Sequence, residues 1–241
     1  MMWLAILALG IVSGTLSGIV GFGASILLLP ALTLTFGAQE SVPIMAIAAL
    51  MANISRVMVW WREVDWRANA YYCATAVPAA ALGARTLLLL DPRLVEGVLG
   101  CFFIAVIPVR RWLLQRGMRI GLMHLAIVGA VIGYLTGIVA STGPVNTPFF
   151  LAYGLSKGAF LGTEALGSVA IGLTKAVVFR TFDALPVETI GRGLLIGASL
   201  MLGSRLAKGF VLALEPDRFR LLMDALLAMA GLILISGALL G

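Results

Sequence analysis

Charge is scarce in this chain. Asp, Glu, Lys and Arg make up 12% of its 241 residues, about half the roughly 25% of a globular domain. So little polar surface cannot cover a water-soluble globule. Histidine is nearly absent: His124 stands alone, which excludes a multi-histidine metal site. The two cysteines, Cys73 and Cys101, both fall inside apolar runs and give no disulfide framework. No nucleophile–base pair stands out, so the chain is read as a non-enzyme that needs no cofactor. Residues 1–9 hold no Lys or Arg. A basic n-region is therefore missing, and the first apolar run is expected to stay as a membrane helix. The polar connections are short, so no extramembrane domain is expected. Segments of about ten residues alternating polar and apolar, the mark of a transmembrane barrel, are also missing.

What is present is apolar sequence from end to end. Hydrophobic residues make up 61%, and the mean hydropathy is +1.07. The fold class expected is all-α, a polytopic integral membrane protein. The formal net charge of +6 is read as loop anchors on the cytoplasmic face, not as a nucleic-acid surface. The expected partners are the lipid bilayer, a small anion and, as an option, a second copy of the chain in a homodimer.

Apolar runs cover residues 3–20, 26–36, 42–61, 68–90 and 94–114, and the linker 115–120 follows. The pattern then restarts. Gly14 and Gly18 fall on Gly133 and Gly137 at an offset of 119 residues, and Ser55-Arg56 falls on Thr174-Lys175 at the same offset. Gly83-Ala84-Arg85 matches Gly203-Ser204-Arg205 at 120, and Asp91-Pro92 matches Glu215-Pro216 at 124. Four matches in order imply a duplication, with one repeat over 1–114 and the other over 121–241. Each repeat holds four to five membrane helices. The short runs after each break, 26–36 and 148–153, are about 11 and 6 residues. At about 1.5 Å per residue neither crosses a core of about 30 Å.

Loop charge decides the orientation of the repeats. With five elements per half, one face collects Arg62, Arg67, Arg110, Arg111, Arg116, Arg119, Lys157, Arg205, Lys208, Arg218 and Arg220. The other keeps Arg85, Arg93, Arg180 and Arg192. With four elements the faces come out nearly equal. The positive-inside rule therefore selects inverted repeats, with both termini outside and the linker in the cytoplasm.

The candidate site lies at two breaks. Gly18-Ile19-Val20-Gly21-Phe22-Gly23-Ala24-Ser25 ends one helical run, and Gly137-Ile138-Val139-Ala140-Ser141-Thr142-Gly143-Pro144 ends its counterpart. Non-helical backbone at membrane depth is tolerated only where protein buries it or water lines it. A helix starting after Gly23 or Gly143 would aim backbone N–H groups and a positive dipole end at the gap, which suits an anion. Ser25, Ser141, Thr142, Asn146 and Thr147 add polar side chains. The two breaks are expected to face each other at the repeat interface. The Gly10/14/18 and Gly129/133/137 stripes are read as packing faces.

The embedded polar residues Asn53, Ser55, Arg56, Thr174 and Lys175 complete the set. A cation within a membrane helix is rarely idle, although each lies only a turn or two from the end of its run, where snorkelling competes. Arg85 and Arg205 are placed at the vestibules. Glu96, Glu164 and Asp224 are the candidates for proton coupling, but each sits near the start of a run, where placement at the interface is expected over a relay, as it is for His124.

The opening Gly-x-x-x-Gly-Ile-Val-Gly-Phe-Gly-Ala-Ser-x-x-x-x-Pro, the segment around Asn53 and Arg56, and a second half running from Gly133 to Thr147-Pro148 resemble the TauE/SafE family of membrane permeases. The resemblance implies transport of a small sulfur oxyanion or organosulfonate across a bacterial inner membrane. The residues themselves show only an anion-friendly site. A secondary transporter working by alternating access is the reading adopted. An anion channel and a membrane-embedded enzyme are the alternatives.

Overall fold

A computed structural model describes residues 2–20, 24–115, 119–139, 142–155 and 157–210, with residues 228 and 232. Gly21, Phe22, Gly23 and Ser141 lie outside the described residues, as do Arg116, Glu215, Pro216, Asp217, Arg218, Arg220 and Asp224.

The described residues are helical, with no strand among them: α1 (Met2–Val20), α2 (Ala24–Phe36), α3 (Ala38–Trp60), a 3-10 turn (Trp61–Glu63), α4 (Trp66–Leu89), α5 (Pro92–Gln115), α6 (Leu122–Ile138), α7 (Gly143–Tyr153), α8 (Lys157–Thr181) and α9 (Val187–Phe210). Three helical segments, Glu40–Glu63, Trp66–Leu89 and Gly158–Thr181, are long and apolar enough to cross a membrane. Leu4, Leu34, Met58, Leu82, Leu89, Met123 and Leu206 are all exposed, a spread of large apolar side chains that water would not tolerate but lipid does.

Helix starts extend into the polar steps. Asp65 caps α4 by accepting the Ala68 N–H at 2.9 Å. Pro92 opens α5 and Pro144 lies in the first turn of α7, where the missing N–H costs nothing. The second short helix is therefore longer than the run 148–153: Gly143 and Thr147 belong to it. α2 has 13 residues and α7 has 11, so at about 1.5 Å per residue both are too short to cross a core of about 30 Å. Each is followed by a left-handed glycine, Gly37 at φ 78° and Gly154 at φ 111°. A side chain there would be strained, and the chain turns from these points into the long helices α3 and α8.

α3 and α8 pack against each other at the centre. The surrounding contacts come in pairs. α1 packs on α9 and α6 on α4; α3 packs on α9 and α8 on α4; α2 touches α1 and α3 as α7 touches α6 and α8. The glycine stripes make the outer pairs close. A Cβ at Gly14 would strike the Leu200 carbonyl, and one at Gly133 would lie 2.7 Å from Ala76 Cα. In return, a Cβ at Gly203 would strike the Ile11 carbonyl and one at Gly83 that of Tyr134. Small residues let these backbones touch, which is how membrane helices associate without a hydrophobic drive. Thr15 Oγ1 donates to the Gly203 carbonyl at 3.1 Å across one of these contacts.

Candidate functional site

A cavity of about 50 Å³ lies where α3, α4, α6, α7 and α8 meet. A buried water needs roughly 10–15 Å³ by this measure, so there is room for a few waters or one small oxyanion. α8 lines it with Glu164, Ser168, Ile171, Gly172 and Lys175, and α3 with Ala46, Ala49, Leu50 and Asn53. These spacings of three and four place each set on one helical face. Tyr72 comes from α4, Thr136 from α6, and Thr142, Gly143 and Asn146 from the second break and the start of α7.

Two cations serve this region, and neither reaches solvent. Arg56 is 6% exposed and Lys175 is 2% exposed, which rules out snorkelling for both. Arg56 donates to Asn53 Oδ1, and its guanidinium lies 3.1 Å from Glu164 Oε2. Ser168 donates to the other oxygen, Glu164 Oε1, at 2.8 Å. Glu164 is 4% exposed, not interfacial as its place in the sequence suggested. α8 begins at Lys157, two turns earlier, which carries Glu164 about 10 Å into the helix.

Lys175 has a different role. Its Nζ donates to the Thr136 carbonyl at 2.7 Å and to the Val139 carbonyl at 3.3 Å. Thr136 lies in the last turn of α6 and Val139 is its C-cap residue, where carbonyls lose their helical partners and the dipole is negative. The ammonium thus closes the α6 end of the break. Among the described residues no carboxylate forms an ion pair with it.

The other side of the break is the N-terminus of α7. The Val145 and Asn146 N–H groups both bond to the Thr142 carbonyl, at 2.9 and 3.0 Å, and Pro144 has none. The expected cradle of unpaired N–H groups is therefore already used up within the first turn. What faces the cavity is the positive dipole end and the Asn146 side chain, whose Oδ1 has no partner among the described residues. An amide can present either end to a guest. Thr136 Oγ1 donates to the Ile132 carbonyl at 2.6 Å, so in its 2.5 Å contact with Thr142 Oγ1 the Thr142 hydroxyl is the donor. That bond ties the two sides of the break together.

Of the residues singled out from the sequence, Asn53, Thr142, Gly143, Asn146 and Lys175 line the cavity, and Arg56 stands behind Asn53 and Glu164. Pro144 occupies the first turn of α7. Ala24, Ser25 and Ser55 are buried elsewhere. Thr147 and Thr174 donate to the carbonyls one turn back, at Gly143 and Ala170. Arg85 and Arg205 are exposed, with Arg85 over the Phe182 ring at 5.5 Å. The sequence reading missed Tyr72, Thr136 and Ser168, and it placed Glu164 at the interface, not on the cavity wall. Glu164 and Ser168 had a signal: with Gly172 and Lys175 they form a polar and small stripe along an apolar helix.

No curated protein and no solved structure matches the chain. The family model described as sulfite exporter TauE/SafE matches residues 6–234. A multi-pass helical chain with a buried, cationic cavity at a helix break accords with that match, and the chain belongs to the TauE/SafE sulfite exporter family.

Proposed function

We propose that the protein is a secondary transporter that exports a small sulfur oxyanion, sulfite or a compact organosulfonate, by alternating access. One observation carries this reading: the cavity has a net positive character that no carboxylate among the described residues of its wall cancels. Arg56 and Glu164 neutralise each other, while the Lys175 charge has no carboxylate partner among the described residues. The α7 dipole adds to it. Half-helix ends pointing into a midplane site are the usual anion-binding device of such carriers.

The repeats 1–114 and 121–241 are taken as inverted, with the linker 115–120 in the cytoplasm of a bacterial cell and the helices in its inner membrane. The reciprocal helix pairings and the paired left-handed glycines after α2 and α7 support the duplication. The loop charge supports the inversion. Close burial of the lining favours a carrier over a channel, with Glu164 4% and Lys175 2% exposed.

Thermal unfolding of the purified full chain tests the reading, against sulfite, sulfate, thiosulfate, small sulfonates and carboxylates. A ligand that binds only the folded protein raises its apparent stability by mass action, by about 2.7 kcal/mol at a hundred times its dissociation constant. Sulfite or a compact sulfonate is expected to shift the transition most. A shift only with carboxylates, or with none of the set, would contradict the assignment.

A further inference from the structure

Most donors on the cavity wall are already engaged. Three aliphatic hydroxyls line it, and each has placed its proton: Ser168 donates to Glu164 Oε1, Thr136 to the Ile132 carbonyl and Thr142 to Thr136 Oγ1. Lys175 gives two of its three N–H groups to the Thr136 and Val139 carbonyls. Two acceptors on the same wall have no hydrogen-bond donor among the described residues, Asn146 Oδ1 and Glu164 Oε2.

Of the two, Asn146 has the greater need. Glu164 Oε2 has the Arg56 guanidinium 3.1 Å away, so charge meets its need in part. Asn146 is 4% exposed, and the N–H end of its amide is turned to the Tyr72 phenol oxygen. Oδ1 is then the end left for a guest. A buried acceptor without a donor forfeits its bonds to water and gains nothing in return. The great majority of buried polar atoms are paired, so the missing donor points to a ligand that brings one.

We infer that Asn146 Oδ1 accepts a hydrogen bond from the transported anion itself, so that the site prefers a compact monoanion carrying its own O–H or N–H group. Hydrogensulfite and small sulfonates bearing a hydroxyl or amino group are of this class. The inference rests on the anion-binding reading of the same cavity. The third Lys175 N–H takes a charged oxygen of the guest, and the guest's donor turns to Asn146. The Glu164 carboxylate on the same wall favours the same class: it repels a second negative charge. Sulfate and thiosulfate, dianions without a donor at neutral pH, match the wall least. A site built around one hydrogen bond rejects the analogue that lacks it, because its own buried group then stays unpaired.

Sulfamate and methanesulfonate isolate the donor. Both are monoanions at neutral pH with three oxygens on sulfur and nearly the same size, and an amino group in one replaces a methyl in the other. The experiment is calorimetric titration of the purified full chain with each, at neutral pH. The wild type is expected to bind sulfamate at least about tenfold more tightly than methanesulfonate. Asn146→Leu keeps the shape of the side chain and removes the acceptor. It is expected to bring the two affinities within about threefold of each other. Its thermal midpoint without ligand is expected to equal or exceed that of the wild type, because an unpaired buried acceptor has gone. Equal affinities in the wild type would overturn the inference and leave the anion site standing. So would a sulfamate preference that survives in Asn146→Leu. A clearly lower midpoint in Asn146→Leu would show that the amide already serves the fold, and would overturn it as well. Absence of binding by sulfamate, methanesulfonate and sulfite alike would remove the anion site and the inference with it.

Discussion

Replacing Lys175 by glutamine separates the two things this side chain does. Its Nζ caps the Thr136 and Val139 carbonyls, and its charge faces a cavity of about 50 Å³. An oxyanion in so small a space lies within about 5 Å of Nζ. Two unit charges at about 5 Å attract by about 3 kcal/mol at an effective dielectric constant of about 20. Losing that attraction weakens binding by roughly 100-fold. Glutamine still carries N–H donors for the α6 carbonyls, so the fold is expected to survive. Methionine keeps the length but not the donors. It should lose the same affinity and in addition about 1–3 kcal/mol of stability, from carbonyls left buried and unpaired. The assay is paired: calorimetric titration with methanesulfonate for affinity, thermal unfolding for stability. The expected pattern is a large affinity loss in both variants and a clear stability loss in Lys175→Met alone. If Lys175→Gln binds within about threefold of the wild type, the ammonium is not the counter-charge and the electrostatic reasoning is refuted.

Three other outcomes follow from the same structure. Gly14→Ala should destabilise the protein more than Gly10→Ala: the new methyl at Gly14 meets the Leu200 backbone, whereas at Gly10 it meets the Ser199 side chain, which can turn away. Thermal midpoints at equal detergent concentration decide this. Gly143→Val should abolish methanesulfonate binding while the protein still inserts, since a branched side chain crowds the cavity wall without reducing hydrophobicity. Equal binding by Gly143→Val would remove the second break from the site. Single cysteines replacing Asp91 and Arg116 should label from outside and from the cytoplasm respectively, and labelling from the same face would overturn the five-plus-five arrangement.

The long helices were legible because their apolar runs carry their own boundaries to within a few residues. The starts of α3 and α7 were less so. A first-turn proline draws polar residues into α7, and in both helices hydropathy alone starts the run too late. The cations were legible from the matched offset of Arg56 and Lys175. Their environments were not, because each is settled by a partner from a distant part of the chain: Glu164 for Arg56, the end of α6 for Lys175. Matched positions therefore concealed different roles, one an ion pair and the other a helix cap. Tyr72 and Thr136 were invisible for a simpler reason. In a membrane helix a single tyrosine or threonine is ordinary, and only the packing of α4 and α6 on α8 brings them to the cavity.

The most direct measurement is counterflow in proteoliposomes. Vesicles loaded with unlabelled sulfite or methanesulfonate are diluted into a trace of the labelled anion, with the wild type and Lys175→Gln side by side. An alternating-access carrier of small sulfur oxyanions predicts saturable, transient accumulation of label by the wild type, driven by the internal anion, and a far weaker response from the variant. Flux that rises linearly with concentration and ignores the internal anion, or equal accumulation by the two proteins, would contradict it.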